Sequence, residues 1–190
     1  MDSQLVLLEV KNSRDSEEVP AVMEQVFAAL GAGVGGGGFL RRLFGPKHIP
    51  RWFSFEIVSV NSAIHFFIGM PQSVQTYVES QITAQYPKVM LSPVSDYAAH
   101  FLSLPHAVGQ LVFTNAFYYP LKTYKDVRDL DLMASVLGQM AKLPIGEAAV
   151  VQLRVAPAGS SWQRTGASIV ERGIADPAST IGRTKNHPHA

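Results

Sequence analysis

Apolar and polar positions follow the same order in two windows of this chain. An apolar extended run, a charged turn and an amphipathic helix occupy 8–30 and return at 121–143. Aligned without a gap, Val19, Met23, Phe27 and Leu30 fall on Leu132, Val136, Met140 and Leu143, so one helical face is used twice. An alternating strand follows each helix, at Phe53–Val60 and at Val150–Val155. A half-domain used twice predicts two related α+β modules in one chain.

The first module reads strand, helix, strand, strand, helix, strand. Leu5–Val10 is extended. Ser16 before Glu17 and Glu18 predicts a cap with acidic residues at the positive helix end, and Pro20 in the first turn starts a helix through Leu30. Trp52–Val60 and Ala63–Met70 are rich in β-branched and aromatic residues. The polar pair Asn61-Ser62 between them suits a tight hairpin. Pro71 ends the second strand. Ser73–Tyr86 is a helix with Val74, Tyr77, Val78 and Ile82 on one stripe, stopped by Pro87, and Lys88–Val94 is the last strand. This order is the split βαβ, or ferredoxin-like, arrangement: a four-stranded antiparallel sheet with both helices on one face.

The second module is expected to be less complete. Leu111–Tyr124 reads as a long strand broken near Pro120, Asp129–Leu143 as its helix, Glu147–Ala156 as a strand and Ser160–Glu171 as a second helix. The expected organisation is a first module over 1–95 with a glycine-rich basic loop at 31–51, a linker at 96–108, a second module at 109–172 and a disordered tail at 173–190.

Composition narrows the class. The 190 residues are 47% hydrophobic and only 16% charged, which is a core-forming composition. A formal charge of +1 leaves attraction to nucleic acid or an acidic surface to a local patch. With no cysteine there is no disulfide framework and no thiolate site. Apolar runs such as Leu5–Leu8 and Ile64–Met70 are too short to span a bilayer, and the start lacks a basic signal-peptide region. A cytoplasmic location is expected.

Several stretches carry a family resemblance. They are Pro20 with Glu24-Gln25, Phe27 and Leu30; Ser54-Phe55-Glu56-Ile57-Val58-Ser59; Ile64-His65-Phe66-Phe67-Ile68; Val78-Glu79-Ser80-Gln81-Ile82 with Ala84-Gln85-Tyr86-Pro87; Tyr119-Pro120-Leu121-Lys122-Thr123-Tyr124; and Trp162-Gln163. Through most of 5–170 the chain resembles the N-terminal, non-motor β/α region of type IV secretion-like conjugative DNA-transfer ATPases of candidate-phyla bacteria. Val78–Pro87 is the most specific stretch, because helix formation does not dictate its polar residues. The resemblance implies a non-catalytic, membrane-proximal module at the cytoplasmic face of the membrane. Its implied partners are a motor ATPase domain or other secretion-channel subunits. No membrane helix precedes residue 5 and no motor follows residue 170, as expected of an excised domain or a short relative that has lost the motor.

Candidate chemistry is sparse. Gly31, Gly33 and Gly36 match a dinucleotide fingerprint in spacing, but they follow a helix instead of a strand and run on as a glycine tract, so a flexible loop is expected. The chain has no Gly-Lys-Ser/Thr tripeptide, which a phosphate-cradling loop requires. No cofactor is expected, nor any enzymatic activity. Loop 31–51 is the best interaction candidate. Phe39, Leu40, Arg41, Arg42, Phe44, Lys47 and Arg51 interleave apolar and basic side chains, a pattern suited to DNA or to a membrane surface. The plainer reading is a loop that docks on its own domain.

The remaining polar groups are weaker candidates. His65 is expected on the face opposite Ile64 and Phe66, in a surface or sheet-edge role. His48, His100 and His106 lack metal-site spacing, and His187 and His189, flanking Pro188, suit adventitious metal binding but are too few for a structural zinc site. Glu56 with Glu79 is a conceivable carboxylate pair, and Glu56 with His65 the closest approach to an acid–base pair, with a cross-strand salt bridge the simpler account. Asp96-Tyr97 and Trp162-Gln163 read as packing and capping residues. The expected function is assembly or docking within a DNA-translocation ATPase system, with self-association a further expectation. The alternative is a nucleic-acid-binding module with Phe53, Phe55, Phe66 and Tyr118 as an aromatic platform.

Overall fold

A computed structural model of the chain describes residues 4–13, 20–35, 52–98, 101, 104–119, 121–126, 131, 133–156, 158 and 160–171. Its elements are β1 (Leu5–Lys11), α1 (Pro20–Gly35), β2 (Phe53–Val60), β3 (Ala63–Pro71), α2 (Gln75–Gln85), β4 (Met90–Val94), α3 (Ala134–Met140), β5 (Ala148–Val155) and α4 (Ser161–Glu171). The five strands form one antiparallel sheet in the order β4-β1-β3-β2-β5.

The hairpin between β2 and β3 forms where the sequence places it. Val60 faces Ala63 across the turn, and Asn61 and Ser62 take φ of 49° and 63°. Positive φ at both central residues is the turn whose twist matches paired strands. One face of the sheet carries Leu8, Phe53, Ile68 and Met70. These are buried against Val26 and Leu30 of α1 and against Val74, Val78 and Ile82 at and within α2. Each such side chain contributes about 1.5–3 kcal/mol by leaving water. Tyr77 donates its hydroxyl to the Ala29 carbonyl at 2.8 Å, fastening α2 to α1. Burial raises the Tyr77 hydroxyl pKa above its ordinary value.

Several expectations are corrected. Leu111–Tyr124 contains no strand among its described residues; only the short 3-10 turn Tyr124–Asp126 is regular. β-prone residues become a strand only where a neighbouring strand takes up their backbone groups, and Leu111, Val112 and Phe113 stay exposed. The strand expected in a second module at Glu147–Ala156 is instead β5, Ala148–Val155, an edge of the first sheet paired with β2 from Phe53↔Val155 to Val60↔Ala148. The described residues therefore hold one sheet, and the repeat reaches only its helix and following strand. The helix expected at Asp129–Leu143 is also shorter, spanning Ala134–Met140. Asp131 Oδ1 accepts the backbone N–H groups of Met133 and Ala134, both at 3.0 Å, and so caps α3. Helix α1 runs past Leu30 through Gly35, because glycine weakens a helix without obliging it to stop.

The chain divides into two compact units, Met1–His106 with Val127–Pro157, and Ala107–Asp126 with Ala158–Ala190. The first contains the sheet with α1, α2 and α3. In the second, Phe117 meets Tyr118 edge-on at 5.5 Å and Tyr118 meets Tyr119 at a tilt at 5.1 Å, and α4 passes close enough to Tyr118 that Gly166 faces its Cβ. Asp126 accepts the Thr123 backbone N–H at 2.7 Å and the Thr123 hydroxyl at 2.9 Å. These bonds, the backbone one first, lower its carboxyl pKa.

Candidate functional site

The second face of the sheet holds the chain's concentration of buried polar chemistry. Alternation puts Leu7, Glu9 and Lys11 of β1 there, with Ser54, Glu56 and Val58 of β2 and His65, Phe67 and Gly69 of β3. Register aligns one row across all five strands: Ser92 faces Glu9, Glu9 faces Phe67, Phe67 faces Glu56 and Glu56 faces Gln152. Two buried glutamates thus flank Phe67.

Each oxygen of both glutamates has one donor from within the protein. On Glu9, Oε1 takes the His65 ring nitrogen Nδ1 at 2.8 Å and Oε2 takes Lys11 Nζ at 2.9 Å. His65 is the larger cause and Lys11 the second in holding the Glu9 carboxyl below its usual range, against the opposing effect of burial. On Glu56, Oε1 accepts Gln152 Nε2 at 2.8 Å, and Oε2 accepts the Tyr97 hydroxyl. Burial first, and the Glu56 bond second, push the Tyr97 hydroxyl far above its ordinary pKa, so it remains a protonated donor.

An aromatic ladder lies over this row. Phe67 stacks between His65 at 6.0 Å and Tyr97 at 5.4 Å, and Tyr97 meets Phe101 at 5.8 Å. Tyr97 and Phe101 come from the segment expected as a linker, and they pack on Leu7, Val58 and Phe67. Asp96 Oδ1 accepts the Ala98 N–H at 2.8 Å, the capping role read from sequence. At the next row Gly69 lies against Ser54, where a Cβ would collide with Ser54 Oγ.

His65 does lie on the face opposite Ile64 and Phe66, but its partner is Glu9. Glu56 faces Phe67 while His65 faces Val58, so the expected Glu56–His65 pair does not form. Nor do Glu56 and Glu79 meet. Glu79 is on α2, hydrogen-bonded by Gln75 at 2.8 Å, and the sheet stands between α2 and Glu56. Phe53, Phe55 and Phe66 all lie on the helix-side face, where Phe53 is buried and Phe55 meets Phe27 edge-on at 5.1 Å. Phe66 is 45% exposed, but Phe53 and Phe55 pack into the helix-side core, so the three do not present one exposed aromatic surface.

Among the other histidines, His106 is bonded to the Leu104 carbonyl at 2.8 Å. The loop residues Phe39, Leu40, Arg41, Arg42, Phe44, Lys47 and Arg51, with His48, His100, His187 and His189, lie outside the described residues.

Glu9, Lys11 and Gln152 were not singled out from sequence, and Tyr97 was read only as a packing or capping residue. The signal for the first two is present as charged residues two apart in the apolar strand Leu-Val-Leu-Leu-Glu-Val-Lys. Chemically, the network is a set of carboxylates already satisfied by protein donors, a device for holding register and seating Tyr97. Among the described residues no three His, Cys, Asp or Glu side chains are grouped to hold a metal ion, and no helix is long and apolar enough to cross a membrane. Comparison with protein-family models, curated proteins and solved structures found no match.

Proposed function

We propose that this chain is a non-catalytic assembly module of a type IV secretion-like DNA-translocation ATPase system, which docks on a motor ATPase or channel subunit at the cytoplasmic face of the membrane. β1 to β4 with α1 and α2 are read as a ferredoxin-like split βαβ unit; the order β4-β1-β3-β2 supports this, with β5 added at its edge. The observation that carries the docking role is exposed apolar surface. Leu111, Val112 and Phe113 are 101%, 73% and 71% exposed, and Phe117 and Leu121 are also exposed. Large apolar side chains gathered in one stretch suit a protein interface, where aromatic and aliphatic anchors carry most of the binding energy. The internally paired carboxylates of the second face favour a scaffold over a catalyst.

The test is a titration of the full chain against a purified motor ATPase of the conjugative type and its channel subunits. Binding is expected, weakened by roughly tenfold or more in the Leu111→Asp/Phe113→Asp double variant, since a tenfold change needs only about 1.4 kcal/mol. Absence of any complex, or ATP hydrolysis by the chain alone, overturns the proposal. Salt-sensitive binding to short single-stranded DNA without a motor would replace it with the nucleic-acid-binding alternative.

A further inference from the structure

We infer that two copies of this chain join edge to edge through β5, continuing the sheet across a two-fold axis. The inference deepens the assembly reading above, and rests on it, by naming one partner and the surface that takes it.

The two edges of the sheet differ. β4 is a five-residue strand that contains Pro93, which has no N–H to offer a further strand. β5 has eight residues, Ala-Ala-Val-Val-Gln-Leu-Arg-Val, with no proline, glycine, lysine or acidic residue. Its sole charge, Arg154, sits 4.3 Å over the ring of Trp52, the residue just before β2. β2 occupies one flank along the full length of β5, and among the described residues no strand pairs with the other. Val150, Val151 and Leu153 remain 42%, 41% and 57% exposed. A long apolar edge without these guards is a template for another strand.

A second copy fits that edge by symmetry. In an antiparallel pair, facing residues share a side-chain face and a hydrogen-bonding class, and both alternate along the strand. Near full overlap, two registers meet this condition for identical strands. In one, Val151 faces Val151, Val150 faces Gln152 and Ala149 faces Leu153. In the other, Gln152 faces Gln152, Val151 faces Leu153 and Val150 faces Arg154. Both place apolar side chains together on the helix-side face, and neither sets Arg154 against Arg154. A formal charge of +1 per chain adds little repulsion between copies. A single strand edge is a small interface, so dissociation is expected roughly in the micromolar range.

The experiment is sedimentation of the full chain, without any motor, across about 1–100 µM. Its arms are the wild type, Val151→Lys, Val151→Glu and a one-to-one mixture of the two variants. The wild type is expected to pass from monomer to dimer. Each variant alone is expected to dissociate at least about tenfold more readily, by like charges across the axis, and the mixture to regain the dimer by opposite charges. A fold defect would not be repaired by mixing. A wild type that stays monomeric, variants that dimerise like wild type, or a folded mixture that fails to regain the dimer each overturns the inference. If the variants do not fold, amide exchange on wild-type Ala148–Val155 decides: slowing with concentration supports the interface and unchanged exchange refutes it. The Leu111→Asp/Phe113→Asp variant should dimerise normally, which separates this surface from motor docking.

Discussion

Glu9 is a charged residue in a strand whose neighbours are Leu8 and Val10, and it stays ionised there because His65 and Lys11 each take one of its oxygens. A carboxyl whose folded pKa lies below its unfolded value, about 4.3 for glutamate, adds stability above that value. The contribution is lost as pH falls through the folded pKa. Wild type should therefore exceed Glu9→Gln in urea midpoint at pH 7, and the gap should close between about pH 4.3 and the lowered value. Parallel midpoints from pH 7 to strong acid would remove Glu9 from this role. The face on which His65 lies was legible, because strand alternation is local. Its partner was not, because Glu9 is 56 positions away and β1 meets β3 only in the folded sheet.

At the scale of elements, the β2–β3 hairpin shows where local chemistry suffices. Asn61 and Ser62 both take positive φ, and Ser62 also donates its hydroxyl to the Leu143 carbonyl at 3.1 Å. Ser62→Gly relieves about 1–2 kcal/mol of left-handed strain. It also loses an exposed hydrogen bond of about 0.5–1.5 kcal/mol and adds about 0.5–1 kcal/mol of chain entropy to fix. The three nearly cancel, so its unfolding free energy should match wild type to about 0.5 kcal/mol. Ser62→Val keeps the strain, worsens it with a β-branched side chain and loses the bond; it should cost about 1–3 kcal/mol in chemical denaturation. Equal effects of the two substitutions would show that the turn does not need this backbone. Residues 111–123 show the opposite limit. They have strand composition but no strand among those described, because a ladder requires a second chain segment that composition does not supply.

For the whole molecule, β5 completes a sheet begun well before it in sequence, and Ser59 Oγ reaches the Met140 carbonyl at 2.7 Å to seat the end of α3. A chain ended after residue 106 would leave β2 as an open edge, whereas one ended after 157 keeps all five strands. The shorter form should scatter light as aggregates and the longer should unfold cooperatively, with circular dichroism and light scattering as the readouts. A soluble, cooperatively folded 1–106 fragment would mean that β5 is an accessory rather than part of the core.

The sequence by itself determined the periods of the elements, the Asn61-Ser62 turn, the helical stripes and the face on which His65 lies, since each follows from contacts within a few residues. Tertiary structure alone decided that β5 joins β2, that Tyr97 folds over Phe67 and that Glu9 and Glu56 divide their partners as they do. Those pairings are set by which distant segments bury apolar surface and satisfy polar groups together, and that is a property of the assembled sheet.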